Sequence, residues 1–306
     1  MLGVGNVALD VARVLAKTAD ELRESTEIPE NVYAGLKQNP TTDVHVFARR
    51  GPAQVKFTPM ELRELSHSPN VDVIVHPEGF EFDEGSMEAI QGSKSQKLVV
   101  DVLTTYAARE PDDSKPHKIH IHFCQEPQEI LGEDGKVVGL RTAVTELDGT
   151  GNGRRTGETV DWEVGAVYRC IGYKSDSIAD VPFDDAKGVI PNDGGHVLDL
   201  DEKPIPGLYV TGWIKRGPVG LIGHTKSDAA ETVEMVLADT ADLDTPVKAT
   251  PDEIIAQLRA RGLDLTTWEE WERLDAAEVA LGEPEGRERI KVVEREQLLA
   301  LGRSAD

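Results

Sequence analysis

The chain has 306 residues, 39% of them hydrophobic, only two cysteines and a formal net charge of −23. Its length exceeds what one hydrophobic core usually supports, so two domains are expected, and its charge argues against nucleic acid or an anionic membrane as partner through the bulk field. No run of 18 apolar residues is present to span a membrane, and Cys124 and Cys170 lie far apart, which argues against a redox dithiol or a zinc ribbon and suits a reducing, cytoplasmic setting.

The chain opens MLGVGNVALDVARVLAK. Gly3, Gly5 and Ala8 make a G-x-G-x-x-A fingerprint, the turn between strand and helix of a dinucleotide-binding unit. Only Met1 and Leu2 precede the first glycine, so no strand is expected before the turn. Residues 7–17 read as a helix with Val7, Val11, Val14 and Leu15 on one face. Residues 18–40 are polar and helix-prone, an excursion before the alternating strand DVHVFARR at 43–50. Residues 58–67 read as a helix, with Thr58 as N-cap, Pro59 at its first position and Glu61 three residues after the cap, the spacing of a capping box. Further strands are expected in VDVIVHP (71–77), HKIHIHFC (117–124), KVVGLRTAVTEL (136–147) and AVYRCIGY (166–173), with a glycine-rich hairpin turn at 148–158. The texture becomes irregular between Gly172 and Pro191, where a boundary divides 1–172 from 173–306. Beyond it a strand GLYVTGW (207–213) meets a glycine-broken loop. A helix then starts between Gly220 and Thr225 and runs to about Ala238, and the chain from Asp252 onward is helical.

Two stretches carry candidate chemistry. A glycine turn at a helix start lets backbone N–H groups approach a pyrophosphate. The next strand ends in Arg49-Arg50, where an acidic residue would accept a ribose 2′-hydroxyl and arginine accommodates a 2′-phosphate. That order favours NADP over NAD, although the gap from Gly5 to Arg49 is longer than usual and the 18–40 excursion must account for it. Glu61 reads either as a cap or as a group reaching the nicotinamide ribose. Gly217, Gly220 and Gly223 leave bare amides at the start of the later helix, and Trp213 beside them stacks on an aromatic cofactor or covers the core. His117, His120 and His122 fit strand spacing, and no metal is expected there because a second ligand set is lacking.

GNVALDVAR (5–13), ARRGPAQVKFTPMELREL (48–65), CIGY (170–173), GWIKRGPVGLIG (212–223) and the C-terminal TTWEEWERLDAAEVALGEPEGRERIKVV resemble adrenodoxin-reductase-type ferredoxin–NADP reductases, from residue 3 nearly to the end. The resemblance implies an α/β protein of two Rossmann-like dinucleotide-binding domains, the NADP domain inserted in the FAD domain. It implies FAD and NADP as cofactors and a ferredoxin-like iron–sulfur protein as partner. Hydride would pass from the nicotinamide to the flavin, and single electrons from there to the partner. Residues 1–172 would be the NADP domain without its first strand, and 173–306 the C-terminal part of the FAD domain with a helical tail. The family's first FAD segment is not found before Gly3, so the chain is expected to be an incomplete reductase that holds FAD weakly.

Residue by residue, the resemblance implies that Gly3, Gly5, Asn6 and Val7 contact NADP. Val4 departs from the polar residue usual in that turn. Arg49 and Arg50 would take the 2′-phosphate, and Glu61 would contact NADP. Asp10 would help nicotinamide placement or proton handling, and Trp213 and Gly220, Leu221 and Ile222 would contact the flavin. Lys215 and Arg216 either help attract an acidic ferredoxin or form a solvated loop. Two alternatives stay open: a flavoprotein electron-input subunit resembling the small subunit of glutamate synthase, and a non-catalytic NADP-binding remnant.

Overall fold

The computed structural model describes residues 1–218, 225–240 and 249–304. They fall into two compact units, Met1–Ile171 with Thr266–Asp306, and Gly172–Leu265. The partition differs from a boundary that gives all of 173–306 to one domain, because the C-terminal helices sit with the first unit.

In the first unit α1 (Asn6–Ala16), α2 (Ala19–Ser25) and α3 (Glu30–Leu36) precede β1 (Asp43–Phe47). Then come α4 (Pro59–Glu64), β2 (Val71–Val75), α5 (Glu84–Gly92), α6 (Lys94–Ala107) and β3 (His117–His122). The three strands are parallel in the order β1-β3-β2. The side-chain period of two gives the sheet distinct faces. Val44, Val46, Val73, Ile119 and Ile121 join Leu9, Ala12 and Ala16 of α1, Leu62 of α4 and Val99 and Leu103 of α6 in one core. Each of the large side chains among them stabilises the fold by about 1.5–3 kcal/mol.

The opposite face carries His45, Phe47, His120 and His122, with His76 just past β2. It is covered in part by Trp162, whose ring lies 4.4 Å from that of His122 and 5.2 Å from that of Phe47. Trp162 belongs to an antiparallel meander of β4 (Gln125–Glu133), β5 (Lys136–Leu147) and β6 (Gly153–Glu163). Burial, then His120, lowers the pKa of His45 to about 4; burial, then His76 and His45, lowers that of His122 to about 2.

The opening residues bear on the strand expected at 166–173. Leu2 makes parallel bridges to both Phe47 and Arg169. Its N–H donates to Tyr168 O (2.8 Å), and its carbonyl accepts from Cys170 N (2.8 Å). These are isolated bridges at one residue, and no strand stands before the glycine turn among the described residues. The expected strand at 166–173 is reduced to a bridge at Arg169.

The second unit holds β7 (Asn192–Asp193), β8 (His196–Leu198), β9 (Pro204–Tyr209), α7 (Trp213–Arg216), α8 (Thr225–Asp239) and α9 (Pro251–Ala260). Its small core gathers Ile190, Val197 and Val210. α10 (Trp268–Gly282) and α11 (Arg295–Arg303) return to the first unit. There Arg287 donates to the carbonyls of Thr26 (3.2 Å) and Ile28 (2.7 Å), and Glu285 pairs with Arg23 at 2.9 Å. Among the described residues, no helix is long and apolar enough to cross a membrane.

Candidate nucleotide site

Gly5 is the N-cap of α1, and no side chain caps it. A Cβ built there meets nothing within 4 Å. The first amides of this 11-residue helix thus have no side-chain cap, and the space at the Gly5 Cβ position is open, as an anion at a helix start requires. Gly3 does a different job. Its φ is +124°, and a Cβ would stand 2.2 Å from the Cys170 carbonyl oxygen, so only glycine passes there.

The turn is fastened from the loop before α4. The Val4 carbonyl accepts from Lys56 N (2.8 Å), and Asn6 Oδ1 accepts from Thr58 N (2.8 Å). Val4 packs against the core, which suits its apolar side chain. The Asn6 bond corrects the capping-box expectation. Thr58 is the N-cap of α4, but its side chain makes no cap bond. In a capping box Glu61 would reach back to Thr58 N–H; here Asn6 already holds that donor. Thr58 Oγ1 and Glu61 Oε2 are left buried without a partner. An unpaired buried polar group costs about 1–3 kcal/mol, and a polar ligand beside the turn would remove that cost. The Asn6–Thr58 bond spans 52 residues, so no local pattern announced it.

Arg49 and Arg50 follow β1 in a backbone held on several sides. The Arg49 carbonyl accepts from Thr145 Oγ1 (2.8 Å), and the Arg50 carbonyl accepts from Cys124 N (3.2 Å). A Cβ at Gly153 would lie 2.8 Å from the Arg49 carbonyl oxygen. Neither guanidinium donates a hydrogen bond to the described residues. The charge of Arg49 reaches Glu126, whose carboxyl lies below its ordinary range chiefly through its hydrogen bond from Arg155.

Asp10 lies one turn into α1, exposed, in a chain of ion pairs. Arg13 contacts Asp10 and Glu64, each at 2.9 Å. Val7, 38% exposed, stands at the open helix start.

The second glycine stretch is built differently. Gly212 N donates to Asp228 Oδ2 (2.7 Å). Asp228 also pairs with Lys215 (3.5 Å) and Arg216 (3.2 Å), and Lys215 bonds Glu231 at 2.6 Å. Lys215 and Arg216 are therefore neither a solvated loop nor a free basic patch; they belong to α7, and the Lys215 side chain is only 5% exposed. Burial alone would raise the Asp228 carboxyl, but the Gly212 amide and then Lys215 hold it below its ordinary range. Trp213 is 40% exposed and stacks on Tyr173, with ring centroids 5.4 Å apart. Gly220, Leu221 and Ile222 lie outside the described residues, as does the start expected for the helix between Gly220 and Thr225.

A parallel sheet that feeds a glycine-opened helix defines an α/β protein of the dinucleotide-binding class. No protein-family model matches the chain. It is, however, homologous to the NADPH:adrenodoxin and NADPH–ferredoxin reductases. It is 37% identical over 317 residues to the mitochondrial NADPH:adrenodoxin oxidoreductase of Bos taurus, covering 98% of this chain and 63% of that protein. It is 36% identical over 311 residues to the NADPH-ferredoxin reductase FprA of Mycobacterium tuberculosis, covering 99% of this chain and 66% of that one. The solved structure of Mycobacterium tuberculosis FprA in complex with NADPH matches with a TM-score of 0.85 at 36% identity, over 98% of this chain and 66% of that chain. The chain thus spans a little under two thirds of the length of these relatives, and its fold is theirs.

Proposed function

We propose that the chain carries the NADP-binding part, and a portion of the FAD-binding part, of a reductase that passes electrons between NADPH and a ferredoxin-like iron–sulfur protein in the cytoplasm. The observation that carries this reading is the Gly5 opening. No side chain caps that helix start, two buried oxygens unpaired among the described residues stand at the start of α4, which is tied to that turn, and two arginines without hydrogen-bond partners among the described residues follow the next strand. Each group matches a part of NADP.

The α1 amides at Gly5, Asn6 and Val7 would take the pyrophosphate. Arg49 and Arg50 would take the 2′-phosphate through forked hydrogen bonds. Glu61 and Thr58 would meet ribose or amide groups of the nicotinamide half. Asn6 acts indirectly, by fixing the start of α4, which carries both. Asp10, held by Arg13, would set the charge beside the nicotinamide. On the flavin side, the described residues offer the Trp213–Tyr173 stack as an aromatic surface. FAD, when bound, supplies the conversion between a two-electron hydride and single electrons. Two thiols outside any disulfide fit a cytoplasmic location.

The test is binding of 2′-phosphorylated against unphosphorylated adenine nucleotides by the 306-residue chain. The double variant Arg49→Ala, Arg50→Ala should lose about 100-fold or more in affinity for NADP, at about 1.5–3 kcal/mol per charged hydrogen bond, and change little for NAD. Equal weakening of both nucleotides would overturn the assignment.

A further inference from the structure

The face of the parallel sheet turned away from the helices carries a group of histidines that the nucleotide reading does not use. The register of β1 on β3 sets His45 opposite His120, and His122 follows on the same face two residues later. One ring nitrogen from each of His45, His120 and His122 lies within 4.8 Å of the other two. His45 Nδ1 and His122 Nε2 stand 2.9 Å apart. We propose that these three imidazoles form a binding site for a divalent transition-metal ion of the zinc type.

Ligand chemistry supports this occupant. Three neutral nitrogen donors suit borderline ions such as Zn²⁺ and not the oxygen-seeking Mg²⁺ or Ca²⁺. Three histidines plus one open position is a common zinc arrangement. Nitrogens about 2.1 Å from a shared ion at a tetrahedral angle stand about 3.4 Å apart. The His45–His122 pair would therefore open by about half an ångström, within the reach of side-chain rotation.

The outer contacts are also of the required kind. His120 Nε2 lies 3.0 Å from Asp43 Oδ1. An ionised carboxylate only accepts, so Nε2 carries the proton and Nδ1 keeps its lone pair. A carboxylate behind a ligating histidine orients the ring and strengthens it as a donor. His76 is the neighbour outside the triad. Its Nε2 stands 3.3 Å from His120 Nδ1, and its ring stacks on His122 at 4.3 Å. Trp162 shields the His122 side, its own N–H donated to Thr142 Oγ1 at 2.8 Å. The ion would cross-link the middle of β1 to the carboxyl half of β3, and would do so whether or not NADP binds.

Calorimetric titration of the metal-free 306-residue chain with ZnCl₂ tests the site. One ion per chain is expected, with a rise in melting temperature. H45Q/H122Q should bind at least 100-fold more weakly, Asp43→Asn about 10-fold more weakly, and H67Q, at an exposed histidine, as well as the unsubstituted chain. Absence of stoichiometric binding, or equal binding by H45Q/H122Q, would overturn the proposal. If the double variant fails to fold, the imidazole resonances of the unsubstituted chain decide. Zn²⁺ should move those of His45, His120 and His122 and leave His67 and His196 in place; movement of the latter two alone would overturn the site.

Discussion

Gly5 and Gly212 both stand at the start of a helix after an extended segment, and the two turns have opposite fates. At both, the space a Cβ would fill is empty, but at Gly5 no side chain caps the helix. At Gly212 the amide is taken by Asp228, a carboxylate only 8% exposed that also holds two cations, and the helix it opens has four residues. A glycine-rich turn keeps its amides available only where the fold withholds an internal acceptor. The sequence pattern is shared; the acceptor 16 residues downstream of Gly212 makes the difference.

Removing that acceptor should give the largest effect. Asp228→Ala strands Lys215 and Arg216 beside a vacated carboxylate site, and the breaking of a buried ion cluster costs about 3–5 kcal/mol. Urea unfolding should show the loss in the second unit. Gly3→Ala comes next. It sets a methyl against the Cys170 carbonyl oxygen at a φ foreign to alanine, and about 3 kcal/mol of stability should be lost, again read by urea unfolding.

A third turn, closed by a carboxylate as at Gly212, sharpens the comparison at smaller scale. Asp83 caps α5 by accepting from Ser86 N (2.8 Å), and it also accepts from Gly149 N and Gly151 N, both at 2.9 Å. Asp83→Ala should cost about 1 kcal/mol and speed amide exchange at both hairpin glycines. Burial alone would raise this carboxyl, but the bonds from Ser86, Gly151 and Gly149 outweigh it and keep the pKa below its ordinary value. The stability it adds is therefore complete above the unfolded carboxylate pKa and disappears as pH falls through the lower folded one. The alanine variant should lack that part of the acid sensitivity. The smallest stability effect belongs to Gly5→Ala. With φ at −108° and open space around it, alanine should change folding by less than about 0.5 kcal/mol. It should nevertheless weaken NADP, because the methyl occupies the opening. A stability loss as large as that of Gly3→Ala would erase the distinction between the two glycines.

What was legible in the chain was local. β1 and β3 bury alternating stripes written in consecutive residues; α1 forms where expected, but it buries Ala8, Leu9, Ala12 and Ala16 and leaves Val7 and Val14 of the expected face exposed. α5 and α6 were not expected at all. α5 buries only Ser86, so it has no apolar stripe to read. β6 is exposed along almost its whole length and has no alternation to display. The residues 166–173 alternate well yet form only a bridge to Leu2. In the site, Gly3, Gly5, Arg49 and Arg50 stood out by type and order. The roles of Asn6 and Thr58, and the meeting of His45 with His120 and His122, depend on pairings between distant segments that no single stretch encodes.

The contacts of Arg287 and Glu285 with the α2–α3 excursion have a consequence for biosynthesis. The bonds from Arg287 join residues 259 and 261 positions apart, and the Arg23–Glu285 bond joins residues 262 apart. During translation the fasteners leave the ribosome about 260 residues after the excursion they hold. At a synthesis rate of about 5–20 residues per second, it waits on the order of ten seconds or more unclasped, with the polar composition of residues 18–40 keeping it soluble meanwhile. Closure of these contacts is thus timed by the arrival of the segment around Arg287.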